Sequence, residues 1–248
     1  MGPSARGAET VERAMILGIE SAVEHVGVAV GDHSGIRAHC TVASDRRHAE
    51  SLVPMIRFVM EQADVGMSEL SAVAVDVGPG LFTGMRVGIA TAKSFAWALE
   101  LPVVPVCSLD ALALRAAWSD LPVATAIDAR RGEVYWAVHR PRGGASGHAR
   151  LAEPVVSAPE ELAIHLADRA EEVVCLGSGF TRHAGVFAGS PWIREPFLHQ
   201  DGPSATEVVT IAAQRIARDE TLDARSLEPL YLRAPDAEIN WQTRGAVR

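Results

Sequence analysis

The run from Gly78 to Gly88, GPGLFTGMRVG, constrains the fold of this chain more than any other stretch. It follows an apolar segment over 72–77, which predicts a buried strand, and it opens a helical pattern over Thr83–Leu99. Glycine-rich turns at such junctions often bind phosphate, because free N–H groups and the helix dipole favour an anion. The spacing matches neither the P-loop nor the dinucleotide fingerprint, so a tight turn built on Gly and Pro is the competing interpretation.

Composition excludes several classes of protein. The 248 residues are 48% hydrophobic and 22% charged, with a formal net charge of −8, whereas broad nucleic-acid surfaces are basic. Three widely spaced cysteines predict buried small hydrophobes in a reducing compartment, and no pair of histidines has the helical spacing of metal ligands. Residues 1–14 lack the apolar core of a signal peptide and predict a disordered leader. We expect a cytoplasmic protein without a metal or a membrane association.

Hydrophobic periodicity predicts two α/β halves. The first half contains a helix over Ala49–Ala63 and five strands, at Met15–Glu20, His25–Gly31, Ile36–Val42, Ala72–Val77 and Pro102–Val106. In the second half, Ser108 and Ser157 are the expected caps of helices over Leu109–Ala117 and from Pro159 onward. The other expected elements are strands at Val123–Asp128, Glu133–His139 and Val173–Leu176, and a helix over Ala205–Arg218.

These elements predict two lobes, each with a mixed β-sheet flanked by helices. We expect the first lobe over 15–107, the second over 108–235 and a polar tail over 236–248, with the helix over 205–218 able to pack back on the first lobe.

Two helices of the first lobe carry more apolar surface than one core face requires. A helix that is apolar nearly all round is buried on more than one side. Both helices could be sandwiched inside the lobe, or they could form a patch that binds another chain and makes a homodimer when the chain is alone. The candidate interface residues are Leu52, Met55, Phe58, Val59, Met85, Arg86, Ile89, Ala92, Phe95 and Ala96.

Four stretches together resemble the TsaB (YeaZ) family. The run over 78–88 is similar to the family signature GPGSFTGxRxG, and Ile16–Ser21 looks like its opening strand. Asp128–Tyr135 resembles the DARxxEVY block, and Glu228–Arg233 resembles the C-terminal PxYLR. The four stretches occur in the family order between Met15 and Arg233.

The resemblance implies an actin-like, Hsp70-like ATPase (ASKHA) fold and a role in making N6-threonylcarbamoyladenosine beside the anticodon of tRNAs that read ANN codons. It also implies a heterodimer with the catalytic protein TsaD through two helices of the first lobe. The P-loop ATPase TsaE joins this complex, and tRNA is reached indirectly through it.

The same resemblance implies that this chain is not the catalyst. TsaD carries a metal-binding HxxxH after its fifth strand, where Ser108 and Leu112 stand here. Its second-lobe Ser-Gly-Gly phosphate turn is replaced by Asp128–Arg131. We therefore expect no catalytic residue, no metal and no intrinsic cofactor, with ATP or ADP left as a ligand at the interface of the complex.

The sequence does not decide whether a vestigial nucleotide site is retained. Glu20 could orient a hydrated metal in such a site, or it could merely accept backbone hydrogen bonds. Its candidate residues are Glu20, Ser21, Gly78, Gly80, Thr83, Gly177 and Gly179. The alternatives are an actin-fold ATPase or kinase with weak activity, a metalloprotease, for which the metal pair is missing, and a dimeric binding module unrelated to tRNA.

Overall fold

The computed structural model describes residues 14–43, 48–141, 148–194 and 202–233. The predicted leader, apart from Ala14, and the predicted polar tail lie outside these ranges. The strands are β1 (Met15–Glu20), β2 (His25–Asp32), β3 (Gly35–Ala43), β4 (Leu70–Gly78), β5 (Val103–Cys107), β6 (Val123–Arg130), β7 (Glu133–Pro141), β8 (His148–Ser157), β9 (Val173–Leu176) and β10 (Ile193–Arg194). The helices are α1 (His48–Ala63), α2 (Phe82–Leu99), α3 (Ser108–Leu114), α4 (Pro159–Arg169), α5 (Ser178–Arg182), α6 (Ala184–Phe187) and α7 (Ala205–Ile216), with 3-10 turns at Met67–Glu69 and Ala224–Ser226.

The first sheet has the strand order β3-β2-β1-β4-β5. Strand β1 pairs antiparallel with β2 and parallel with β4, so the sheet is mixed. Strand β1 is buried along its whole length, and β2 and β4 are nearly so, because helices cover both faces of the sheet. Strand β3 alternates between exposed and partly buried residues along most of its length, as expected at an edge.

The second sheet repeats this plan with the order β10-β9-β6-β7-β8. Strand β6 pairs antiparallel with β7 and parallel with β9. Each lobe is thus an antiparallel three-stranded meander extended by parallel crossover strands. The two mixed sheets flanked by helices confirm the predicted actin-like fold class.

Strand β1 divides the core of the first lobe into two layers. Leu17 and Ile19 join the cluster that includes α1 and α2, and Ile16 joins the cluster on α7, as the period of two requires. Helix α7 follows the second lobe in sequence but packs on β1, β2, β4 and β5. The span assigned to the second lobe thus contains a helix that packs on the first lobe, an arrangement that the sequence analysis had allowed for the helix over 205–218.

The two predicted serine caps are wrong. Ser108 is the first residue of α3 rather than its cap, and its hydroxyl donates to Asp76 Oδ1 at 2.6 Å. Ser157 precedes Ala158, the N-cap residue of α4, and accepts a hydrogen bond from Trp136 Nε1 at 3.0 Å. Each serine lies one residue away from the cap position, where a side-chain oxygen reaches the free N–H groups. Helix α3 also ends three residues before the predicted position.

Within the parts of the chain that the structure describes, none of the helices combines the length and apolar character needed to cross a membrane.

Candidate functional site

A buried pair of carboxyl groups lies where β1 and β4 run side by side. Glu20 ends β1, and Asp76 lies on β4, one residue beyond the pairing of Ile19 with Val75. Both side chains are fully buried. Asp76 Oδ1 accepts hydrogen bonds from Ser108 Oγ at 2.6 Å and from the Gly78 N–H at 2.7 Å. The pair therefore joins the first strand, the glycine loop and α3.

Burial favours retention of one proton within this pair. The carboxyl groups of Glu20 and Asp76 influence each other's protonation, and no N–H or O–H donor in the described chain reaches Glu20 Oε2 or Asp76 Oδ2. Burial and then the charge of Asp76 raise the pKa of Glu20 well above its usual value. Burial also raises the pKa of Asp76. A protonated Glu20 beside an ionised Asp76 avoids the burial of two charges.

The other carboxyl oxygen of Glu20 is bonded to the main chain. Glu20 Oε1 accepts a hydrogen bond from the Ala22 N–H at 2.7 Å. We considered two roles for Glu20, the orientation of a hydrated metal and the acceptance of backbone hydrogen bonds. The structure contains a hydrogen bond of the second kind.

The glycine loop lies directly against the turn that follows β1. A Cβ atom on Gly80 would lie 2.1 Å from the Ala22 carbonyl oxygen, which accepts a hydrogen bond from the Leu81 N–H at 2.6 Å. The Gly78 N–H donates to Asp76. Two N–H groups that a phosphate could use are therefore already bonded within the chain, and Gly80 permits close backbone packing.

The same turn explains the last glycine of the motif. A Cβ atom on Gly88 would lie 2.2 Å from Ser21 Oγ, which donates to the Gly84 carbonyl oxygen at 2.9 Å. Ser21 thus fixes the first turns of α2 against β1. Thr83 lies exposed in the first turn of α2.

The glycines of the second lobe are also packing residues. Gly177 has a φ of +109°, and a Cβ atom there would lie 2.1 Å from the Ala126 carbonyl oxygen. A Cβ atom on Gly179 would approach the same residue at 2.8 Å. Close packing of the turn between β9 and α5 on β6 therefore explains both residues. The structure brings Glu20, Ser21, Gly78 and Gly80 into one cluster of the first lobe.

Two arginines of the second lobe contact the first lobe through Glu24, a residue that the sequence analysis did not select. Arg130 Nη2 and Arg182 Nη2 lie 2.6 and 2.7 Å from Glu24 Oε1. Asp128 Oδ2 lies 3.5 and 3.4 Å from nitrogens of the same two guanidinium groups. Arg130 and Asp128 belong to the DAR block, so that motif pointed to one side of this bridge. Glu24 belongs to none of the four motifs and could not be found in this way.

The last described residues, 227–233, form a C-terminal strap over the glycine loop. The Leu230 N–H donates to the Val77 carbonyl oxygen at 2.8 Å. The Tyr231 ring stacks on Phe82 with centroids 5.5 Å apart, and the Tyr231 hydroxyl oxygen accepts a hydrogen bond from Arg86 Nε at 2.7 Å. The strap therefore holds Arg86, one of the predicted interface residues.

The strap ends on the second lobe. Arg233 Nη1 lies 2.7 Å from Glu133 Oε2, at the start of β7. The β6–β7 hairpin is consequently tied to the first lobe by Arg130 at one side and by Arg233 at the other.

A second polar cluster joins α3 to β7 and β8. Asp110 accepts hydrogen bonds from Arg150 at 2.6 and 2.8 Å and lies 3.1 Å from His139 Nε2. Burial alone would raise the pKa of Asp110, but these partners hold it at about 2. The carboxylate is thus fully engaged by protein groups. In the described residues, no three His, Cys, Asp or Glu side chains are placed to hold a metal ion.

Most of the predicted interface residues are part of the core, which corrects the sequence-based expectation. The α1–α2 side of the first sheet buries seven of them: Leu52, Met55, Val59, Met85, Ile89, Ala92 and Ala96. Phe58 is 50% exposed, Arg86 is exposed and Phe95 is half-buried. Helical spacing gave the correct apolar stripes, but it could not tell which stripe faces the sheet.

Apolar side chains do remain exposed on the outer faces of both helices. On α1 these are Val53 and Phe58, and on α2 they are Phe82 and Trp97. Trp97 is the most exposed of the four, at 68%. These four side chains, with Arg86, define the outer α1–α2 face.

Known proteins are similar to this chain in both sequence and fold. A family model described as "TsaD: tRNA N6-adenosine threonylcarbamoyltransferase" matches residues 39–173. The tRNA threonylcarbamoyladenosine biosynthesis protein TsaB of Escherichia coli (strain K12) is 31% identical over 225 residues, 88% of this chain and 94% of that protein. Its namesake in Bacillus subtilis (strain 168) is 29% identical over 237 residues, 91% of this chain and 97% of that protein.

A solved structure agrees with these sequence relatives. YeaZ from Pseudomonas aeruginosa superposes with a TM-score of 0.78 at 29% identity, covering 88% of this chain and 100% of that chain. The four motifs, the repeated sheet plan and these similarities lead to one assignment. The chain belongs to the TsaB (YeaZ) family, within the group that the TsaD family model describes.

Proposed function

We propose that this protein takes part in the biosynthesis of N6-threonylcarbamoyladenosine in tRNA, as a non-catalytic subunit that forms a heterodimer with TsaD. The names of the TsaB relatives support the pathway. Residues of the chain itself support the non-catalytic role. Burial raises the pKa of Glu20 and favours its neutral form beside Asp76, and the Gly78 and Leu81 N–H groups of the glycine loop are bonded internally.

The observation that carries the heterodimer is the outer α1–α2 face. Phe58 and Trp97 are each at least half exposed, on neighbouring helices that contact each other. Large exposed apolar side chains are enriched at protein–protein contacts. In the proposed complex this face binds TsaD, TsaE joins the pair, and ATP or ADP binds at the interface. Without TsaD, the same face forms a homodimer.

Replacement of Phe58 with Glu tests this proposal. A charge buried in an apolar interface is desolvated without a partner, so we expect TsaD binding to weaken at least about 100-fold. Binding is measured by isothermal titration calorimetry with purified TsaD. Modification of tRNA in a reconstituted reaction should fall in parallel.

Ile164→Glu provides the matched control, because Ile164 is an exposed apolar residue of α4 in the second lobe. This variant should bind TsaD like the unchanged chain. The proposal would be contradicted if the Phe58 variant and the control bound TsaD equally well and if tRNA modification were unchanged when this protein was left out of the reaction. ATP turnover by the purified chain would favour the ATPase alternative.

A further inference from the structure

A pocket of about 540 Å³ lies at the carboxyl end of α2, apart from the site described above. It borders the start of β5, whereas Asp76 and the glycine loop lie beside the end of that strand. Leu101, Pro102 and Leu222 form much of its apolar lining. Pockets of about 300 to about 1,000 Å³ are typical of small-molecule sites, so this one has the size to hold a small ligand.

The Trp97 indole is a largely exposed part of the lining, with 68% of the residue accessible to solvent. The guanidinium carbon of Arg225 lies 5.4 Å from the centroid of this ring, which is a cation–π arrangement. Tryptophan attracts cations more strongly than the other aromatic residues do. The ring therefore already stabilises one positive charge at the edge of the pocket.

The other charges that line the pocket are negative. Glu100 and Asp223 both contribute to the lining, and both are exposed. Glu100 is also the C-cap residue of α2, where the helix dipole adds partial negative charge. Asp223 accepts a hydrogen bond from the Arg225 main-chain N–H at 2.7 Å. Within the described ranges, the Glu100 carboxylate has neither a hydrogen bond nor an ion pair. It is therefore available to a ligand.

We propose that this pocket binds an organic cation with an aliphatic stem, the chemistry that polyamines and lysine side chains share. The stem packs on the apolar lining, and the ammonium group lies between the Trp97 ring and the Glu100 carboxylate. Arg225 opposes the ligand, because it places a like charge at the same ring. Affinity therefore depends on the balance between one carboxylate, one aromatic ring and one guanidinium group.

Calorimetric titration of the isolated chain with putrescine tests the proposal, and a blocked peptide with two lysines is titrated in parallel because it carries the same charge. We expect saturable binding at one site. Tighter binding of putrescine assigns the pocket to a free polyamine, and tighter binding of the peptide assigns it to a protein side chain. Binding of neither overturns the proposal. Displacement of the ligand by an equal concentration of Mg²⁺, which has the charge without the stem, contradicts it as well.

Three variants locate the binding. Trp97→Ala should weaken it about tenfold. Trp118→Ala is the matched control, because Trp118 is 69% exposed in the second lobe, and its affinity should equal that of the unchanged chain. Arg225→Gln should tighten binding, since it removes the like charge and keeps the main-chain N–H that Asp223 accepts. Equal affinities for the two tryptophan variants, or weaker binding by the Arg225 variant, contradict the proposal.

Each titration is repeated with Phe58→Glu present, so that the proposed homodimer does not cover Trp97. Thermal unfolding establishes that every variant is folded during the titration. The outcome is independent of the proposed function, because TsaD is absent. Loss of this inference would leave the effect of Phe58→Glu on TsaD binding unchanged. Absence of saturable putrescine and peptide binding in both backgrounds overturns the inference.

Discussion

At the scale of single residues, Glu20 and Asp76 bring two carboxyl groups together in the fully buried interior of the first lobe. Two carboxylates buried together cannot both remain charged, because neither the low-polarity interior nor the other charge permits it. Retention of one proton is the least costly solution, and Ser108 and the Gly78 N–H stabilise the charge on Asp76. The pair therefore contributes to stability in a way that depends on pH.

Glu20→Gln should remove this dependence. Burial raises the pKa of Glu20 in the folded chain above its usual value of 4.5. The contribution of Glu20 to the free energy of unfolding is therefore complete below pH 4.5 and is lost as the pH rises through the folded-state pKa. An amide donates to Asp76 at every pH. We expect the free energy of unfolding of the variant, measured in urea, to fall less than that of the unchanged chain between about pH 5 and about pH 8.

Glu61→Gln is the control for the loss of a carboxyl group, because Glu61 is exposed on α1. Its stability should follow the pH profile of the unchanged chain. Parallel profiles for the Glu20 variant and the unchanged chain would contradict the shared proton.

At the scale of elements, the glycine loop positions α2 rather than leaving its amides free for a ligand. Strand β4, the loop and α2 form one continuous unit, and Gly80 lets it approach the turn after β1. This contact orients the outer α1–α2 face, since α2 starts directly from the loop. The motif that identifies the family thus acts here through packing.

Gly80→Ala should consequently be far more damaging than an average glycine substitution. The new Cβ atom would lie 2.1 Å from the Ala22 carbonyl oxygen and 2.9 Å from its carbon, and both belong to the backbone. We expect a loss of at least about 2 kcal/mol in the free energy of unfolding, measured in urea. Gly185→Ala in α6 is the matched control, because a Cβ atom there meets open space, and its effect should stay within about 1 kcal/mol. Similar losses for the two variants would contradict the packing role.

The sequence predicted those elements whose pattern is set by local burial. Strands β1 and β4 are mostly apolar runs, and α2 is nearly uncharged, so the hydrophobic pattern identified all three. Strand β8 was missed because it is an edge strand whose exposed residues include Arg150 and Leu151, with a proline inside the run. The Glu20–Asp76 pair could not be predicted, because parallel pairing of β1 with β4 brings together residues 56 positions apart.

At the scale of the whole molecule, the chain returns to the first lobe after completing the second sheet. Helix α7 covers the first sheet, Leu222 pairs with Val103, and the C-terminal strap crosses the glycine loop. Periodicity detected α7 but not which sheet it covers, since that contact is set by tertiary packing. Leu230 of the strap packs against the core clusters of both lobes, so one side chain contributes to two hydrophobic cores.

Leu230→Ala therefore tests whether the strap couples the lobes. Removal of a partly buried leucine side chain should lower the free energy of unfolding by about 2 kcal/mol. Because Leu230 contacts both clusters, amide hydrogen exchange should accelerate in β4 of the first lobe and in β6 of the second. Leu151→Ala on the exposed edge strand β8 is the matched control and should change exchange in neither strand. Acceleration confined to one sheet would mean that the strap stabilises that lobe alone, and that the ion pairs on the β6–β7 hairpin connect the lobes without it.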